Sequence, residues 1–255
     1  MALYKNELPI LEYDTEVDAV IMAKNECDYV LPKKAVMLFM TKEIDDYVTK
    51  NNCELVTELE CIPRIVPVYK TVRDGEEIAF CHVALGGPAA VQVLEKLIAG
   101  GVEEVIAAGC CGALIDGTAG EFFIPEAALR QEGTSYHYLP PSREVELSSA
   151  AVVAIEEALN KKGFEHRRCK VWTTDGFYRE TKEMVLYRKE EGYSVVDMEC
   201  ASMAACAKFR NIVFGQLLFT ADSLADVDAH DARNWGKDAF ATAMELAMDS
   251  VVCIK

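Results

Sequence analysis

The sequence predicts a single α/β domain in which a central sheet is covered by helices, and three observations carry that prediction. Short apolar runs alternate along the chain with longer segments of helical periodicity. At 255 residues the chain is long enough for one domain with a substantial buried core. No internal repeat and no linker rich in Gly, Ser or Pro divides it, so residues 1–255 read as one unit.

The runs suited to strands are VDAVIMA (17–23), KAVMLFM (34–40), EIAFCHVAL (77–85), VEEVIAAG (102–109), CKVWTT (169–174), SVVDM (194–198) and IVFGQLLFT (212–220). VYKTVRDGEEIAF reads as a hairpin that turns at Asp74-Gly75. PAAVQVLEKLIAGG opens on a proline, places Val91, Leu94, Leu97 and Ile98 on one face, and stops at two glycines, which predicts a helix. SSAAVVAIEEALNKKG has serines at its start and a glycine at its end, as a capped helix should. TKEMVLYRKEEG, ECASMAACAKFR and WGKDAFATAMELAMDSVV complete the helical segments.

Composition narrows the function classes. The formal net charge is −16, which argues against nucleic-acid binding through phosphates but not against a small anionic ligand held by a few local donors. No apolar run is long enough to span a bilayer, and the first 18 residues are acidic, without the apolar stretch of a secretory signal. A cytoplasmic protein is expected. Its ten cysteines then read as small buried hydrophobes rather than disulfides. There is no C-x-x-C, and His82, His137, His166 and His230 lie far apart, so no metal site is expected.

Ligands of open α/β sheets gather where strands end, and four such ends carry unusual residues. In AAGCCGAL, Gly109 and Gly112 read as a tight turn that can present N–H groups to an anion; alone the motif is weak. In VVDMECAS, Glu199 begins a helix at the sheet rim. Its carboxylate suits two vicinal hydroxyls, and equally suits the positive end of a helix dipole. In FTADSLAD, Asp222 follows an apolar run. It is read either as a partly desolvated acid able to hold a proton or as a helix cap. TTDGFYRET supplies the fourth end.

In this order the segments resemble the family of trimeric and hexameric nucleoside phosphorylases, which includes purine nucleoside phosphorylase, uridine phosphorylase and the methylthioadenosine nucleosidases. The resemblance spans roughly residues 80–252 and rests on LGGPAAVQVLEKLIAGGVEEVIAAGCCGAL, ALRQEGTSYHYLP, TTDGFYRET, VVDMECASMAACA and FTADSLAD. It implies a three-layer sandwich with a mixed, twisted central sheet, assembled as a homo-oligomer, dimer or hexamer. It also implies a small-molecule nucleoside as substrate, inorganic phosphate as co-substrate and no cofactor. Residue by residue, it assigns the ribose 2′- and 3′-hydroxyls to Glu199, packing on the sugar to Met198, and the base pocket to Phe177. Asp222 would give a proton to purine N7. Gly109 and Cys110 would face the nucleophile, with Cys110 where the family often has Ser or Thr. His137, in the uridine-like EGTSYHY, would contact sugar or base.

The sequence also departs from the family. An arginine expected just before Gly109 is replaced by alanine in VIAA (105–108), and no Gly-Asp-Pro-x-Arg loop follows the first strand. Lost phosphate contacts of this kind are worth roughly 1.5–3 kcal/mol each; Arg64, Arg73, Arg130 and Arg179 are the candidates to compensate. The nucleosidase branch uses water activated by a glutamate shortly after the first strand, and Glu26 in IMAKNECD takes that place in a gapless register. The Gln and Arg with which uridine phosphorylases read uracil are here Thr181 and Glu183. Phosphorolysis of a purine or uridine nucleoside is the leading expectation. Hydrolysis with Glu26 as base and a non-catalytic nucleoside-binding relative are the alternatives.

Overall fold

The structure, a computed structural model, describes residues 3–62 and 64–255; the first two residues of the N-terminal segment read above lie outside the described residues. In chain order the elements begin with β1 (Leu3–Tyr4), β2 (Tyr13–Asp14), β3 (Lys34–Leu38), α1 (Lys42–Asn51), β4 (Glu54–Cys61), β5 (Arg64–Arg73) and β6 (Glu76–His82). There follow α2 (Gly87–Ala99), β7 (Glu104–Ala113), β8 (Phe122–Gln131), β9 (Glu144–Glu146), α3 (Ser149–Lys162) and β10 (His166–Thr174). The chain finishes with α4 (Lys182–Glu190), β11 (Tyr193–Asp197), α5 (Cys200–Arg210), β12 (Val213–Ser223) and α6 (Phe240–Val252).

Ten strands form one mixed sheet in the order β11-β10-β8-β12-β7-β3-β6-β5-β4, with β9 on β8. β7 is parallel to β3 and to β12, and β10 is parallel to β8 and to β11. A further antiparallel pairing, Val195 with Ala113 and Val196 with Gly112, joins β11 back to β7. The half of the sheet from β7 to β11 therefore closes on itself, while β3, β6, β5 and β4 form an open wing. Two helix pairs flank the sheet: α3 packs on α6 against β12 and β7, and α2 packs on α5, which lies over β12 and β8. The core fills from the strands, with Ala35 to Leu38 and Val105 to Ala108 fully buried. No helix among the described residues is long and apolar enough to cross a membrane.

Most sequence-predicted elements are found, and the differences have physical causes. The hairpin at Asp74-Gly75 forms, with both residues in the left-handed region and Arg73 opposite Glu76. The predicted strand at 17–23 does not form. The place beside β7 is taken by β3, and Val20 and Ile21 are left on the surface. β8 went unread because Pro125 interrupts it. The sheet accommodates that proline at a register shift, where Cys169 and Lys170 face Pro125 and Ala127 and skip Glu126. α1 is mostly polar and buries only Ile44, so it shows little apolar periodicity.

Candidate active site

The predicted tight turn at Gly109–Gly112 is instead straight strand. Gly109, Cys110 and Cys111 pair with Leu218, Phe219 and Thr220 of β12; the register then slips at Ala221, so that Asp222 faces Gly112. Neither glycine has a positive φ. Both are needed for close approach. A Cβ on Gly109 would lie 2.9 Å from the Phe39 ring, and one on Gly112 would lie 2.9 Å from Val196 and 3.2 Å from Asp222 Oδ1. Closure of β11 onto β7 thus presses Asp222, Gly112 and the end of β11 together.

The turn from β11 into α5 is organised by Asp197, which the sequence reading passed over. Its buried carboxylate accepts from Thr173 Oγ1 at 2.7 Å, Cys200 N at 2.8 Å and Gln216 Nε2 at 3.3 Å. Thr173 Oγ1 in turn accepts from Ala201 N at 3.1 Å. This network ties β10, β11, β12 and the start of α5 into one piece and fixes the direction of Glu199.

Glu199 is the N-cap residue of α5, yet its side chain caps nothing in its own helix. Oε1 instead accepts from Gly86 N at 2.7 Å, in the loop that precedes α2. The helix-dipole alternative therefore does not describe its main contact. Burial, together with the charge of Asp197, holds the Glu199 carboxyl well above the usual carboxylate range. Met198 beside it is half-buried.

Asp222 lies within β12 rather than after it, so it caps no helix. Only 6% of it is exposed, and Oδ2 lies 2.8 Å from Nε2 of His230. Cys110 stands on β7 two residues before Gly112, which faces Asp222; burial pushes its thiol up to about 11, with help from the charges of Glu199, Asp222 and Asp197. Glu180, which sequence reasoning missed, also belongs here. Burial and the charge of Asp222 raise its carboxyl to about 7, and it makes no hydrogen bond or ion pair among the described residues. It ends the short 3-10 turn Phe177–Arg179, where Phe177 packs edge-on against Tyr178 with ring centroids 4.9 Å apart.

Two predicted residues sit to one side. Glu26 is exposed and pairs with Lys96 at 3.1 Å. His137, also exposed, ends the 3-10 turn Ser135–His137. Both line a cavity of about 650 Å³ between the N-terminal segment and α2, with Asp175, whose charge reaches Glu199, on its wall. Because 17–23 is not a strand, Glu26 loses the register that singled it out; the glutamate that follows the first strand of the main sheet is Glu43, half-buried in the first turn of α1. The segment after β3, Phe39-Met40-Thr41, likewise has no glycine or arginine. Of the candidate phosphate arginines, Arg73 is paired with Glu245 and Asp249, each at 2.7 Å. Arg130 is spent on Ser135, Leu139, Pro140 and Ser142. Arg64 and Arg179 have no ion pair among the described residues.

A helix-flanked mixed sheet with buried acids gathered at its closed end defines an α/β protein, and that rim is its candidate site. The family follows from the chain itself: residues 33–253 match the phosphorylase superfamily, and the protein belongs to it. A guanosine phosphorylase from Halorubrum lacusprofundi is 28% identical over 153 residues, 58% of this chain and 64% of that relative, so the chain spans less than two thirds of its length. Among solved structures, uridine phosphorylase from Vibrio fischeri superposes with a TM-score of 0.76 at 22% identity, covering 91% of this chain and 95% of that one. AMP nucleosidase from Bacteroides thetaiotaomicron superposes with a TM-score of 0.70 at 22% identity, covering 88% and 89%. The expected fold is thereby found.

Proposed function

We propose that the protein cleaves the N-glycosidic bond of a purine nucleoside with inorganic phosphate as acceptor. The observation that carries this reading is the strand pairing at the closed end of the sheet, where Gly112, two residues after Cys110, faces both Asp222 and Val196, three residues before Glu199. Free Glu199 is a poorly solvated carboxyl held only by backbone donors, so two ribose hydroxyls would supply further hydrogen bonds to its ionised form. The sugar then lies over Met198 with the base toward Phe177. As C1′–N9 breaks, the sugar becomes oxocarbenium-like and the bonding electrons move onto the base. A proton from Asp222 to N7 lets the base leave neutral. The Cys110 thiol keeps its proton at neutral pH and can donate S–H to the attacking anion. The relative named a guanosine phosphorylase supports both the purine and the phosphate.

A second reading, with water as acceptor, is favoured by one specific observation. The Phe39 ring sits against Gly109, where phosphate would need room and charge, and Arg73 and Arg130 are committed elsewhere. The two readings separate cleanly with inosine and guanosine as substrates. Phosphorolysis yields ribose 1-phosphate at a rate that rises with added phosphate and stops without it. Free ribose released at an undiminished rate in phosphate-free buffer would overturn the proposal, and loss of that activity in Glu43→Gln or Glu26→Gln would name the base.

A further inference from the structure

Asp222 is buried, and an acid that gives up a proton in every turnover must be reloaded. The structure offers one contact for this. After β12 the chain loops out and returns through an antiparallel bridge between Ser223 and Asp231, with N–H to O distances of 2.8 and 3.1 Å. The bridge sets His230 beside Asp222, Nε2 to Oδ2 at 2.8 Å. Arg233 anchors the loop from beneath by donating to the carbonyls of Gly117 and Thr118 at 2.8 and 3.2 Å. The Trp235 ring stands 5.9 Å from the imidazole and limits its swing. The exposure of the pair is lopsided: half of the His230 side chain meets solvent, against 8% of the Asp222 side chain.

We propose that His230 is a proton relay that acts through Asp222, carrying protons from solvent to the buried acid. The inference rests on the reading of Asp222 as the donor to the leaving base. In the step, a phosphate oxygen bonds to C1′ as the C1′–N9 electron pair moves to the base, and the Asp222 proton passes to N7. The imidazolium then gives its Nε2 proton to the Asp222 carboxylate, and the neutral imidazole takes up from solvent the proton that the hydrogen phosphate releases on becoming the sugar phosphate. No other reactant is needed. The titratable groups near the pair are Glu180 before α4 and the neutral Cys110 thiol on β7, while Asp231 and Arg233 of the loop pair with each other at 3.4 Å. Among the described residues none of these joins Asp222 to solvent through a hydrogen bond, whereas His230 does.

The test compares wild type, Asp222→Asn, His230→Ala and His230→Gln on inosine, across pH and with added imidazole. His230→Ala should lower kcat about 10- to 100-fold with KM within about threefold, and free imidazole should restore much of the loss, since the vacated site opens to solvent. His230→Gln keeps a hydrogen-bond donor near Asp222 but cannot shuttle a proton. It should be as slow as the alanine variant, without rescue. If His230→Ala does not fold by circular dichroism, the glutamine variant decides alone. A glutamine variant within twofold of wild type would overturn the relay, as would an alanine variant that imidazole leaves unchanged. Dead Asp222→Asn beside unaffected His230 variants would sink the relay only. Fully active Asp222→Asn would sink the acid role and the relay with it.

Discussion

The two halves of the sheet are built from similar residues and do different work. In the wing, β4, β5 and β6 form a plain antiparallel meander that ends in an open, alternately buried edge. In the other half, β11 turns back onto β7, and the strand ends that would splay apart in an open sheet are drawn together. Every acid of the candidate site lies in or beside the closed half: Glu180, Asp197, Glu199 and Asp222. The comparison teaches that the site is a product of closure. Its residues lie far apart in the chain, and the β7–β11 pairing makes them neighbours.

The sharpest way to break that contrast is at Glu199. Glu199→Gln should leave the circular dichroism spectrum and melting temperature near wild type while lowering kcat/KM on nucleosides at least 100-fold, a loss of about 2.7 kcal/mol. Survival of activity within a few-fold would remove Glu199 from the sugar.

Gly112 tests closure itself. Gly112→Ala drives a methyl into Val196 and Leu224 at under 3 Å, so it should cost about 2 kcal/mol of stability and also disturb Asp222. Its counterpart in the wing is Gly75→Ala. That position has φ +85° and open space around it, so the change should cost about 1 kcal/mol through backbone strain, with activity unchanged. Denaturant titrations beside activity assays decide the matter; equal activity losses in the two variants would erase the distinction between the halves.

The smallest effect concerns Glu180, whose folded-state carboxyl titrates at about 7 against an ordinary 4.5. A raised carboxyl favours folding fully below the unfolded value, and that contribution is lost as pH rises from 4.5 to about 7. Glu180→Gln should therefore match wild type at low pH and exceed its stability at pH 8 by about 1 kcal/mol, after allowance for partial exposure. A stability gap that did not change with pH would contradict the burial of Glu180.

Much of this was legible in the sequence, for reasons that can be given residue by residue. Glu199 and Asp222 stand at or near the ends of long apolar runs, so their placement at the sheet rim follows from periodicity. The closed fold and Asp222 inside β12 did not follow, because a register slip at Ala221 leaves no trace in composition. Gly109–Gly112 misled because glycines signal turns more often than close strand approach. Glu26 misled because an exposed apolar segment at 17–23 mimicked a strand. His230 and Glu180 were invisible for a deeper reason. Each reaches the site only because a loop returns across space, His230 through the Ser223–Asp231 bridge.

The net charge of −16 also shapes how molecules arrive. A neutral nucleoside diffuses in without regard to that field. A divalent anion climbs against it over a distance of about 10 Å at moderate ionic strength, and less as salt shortens the range. On the proposed phosphorolysis, the surface is thus a filter by charge: it would admit the nucleoside freely and meter the anion, and dissolved salt would set the meter.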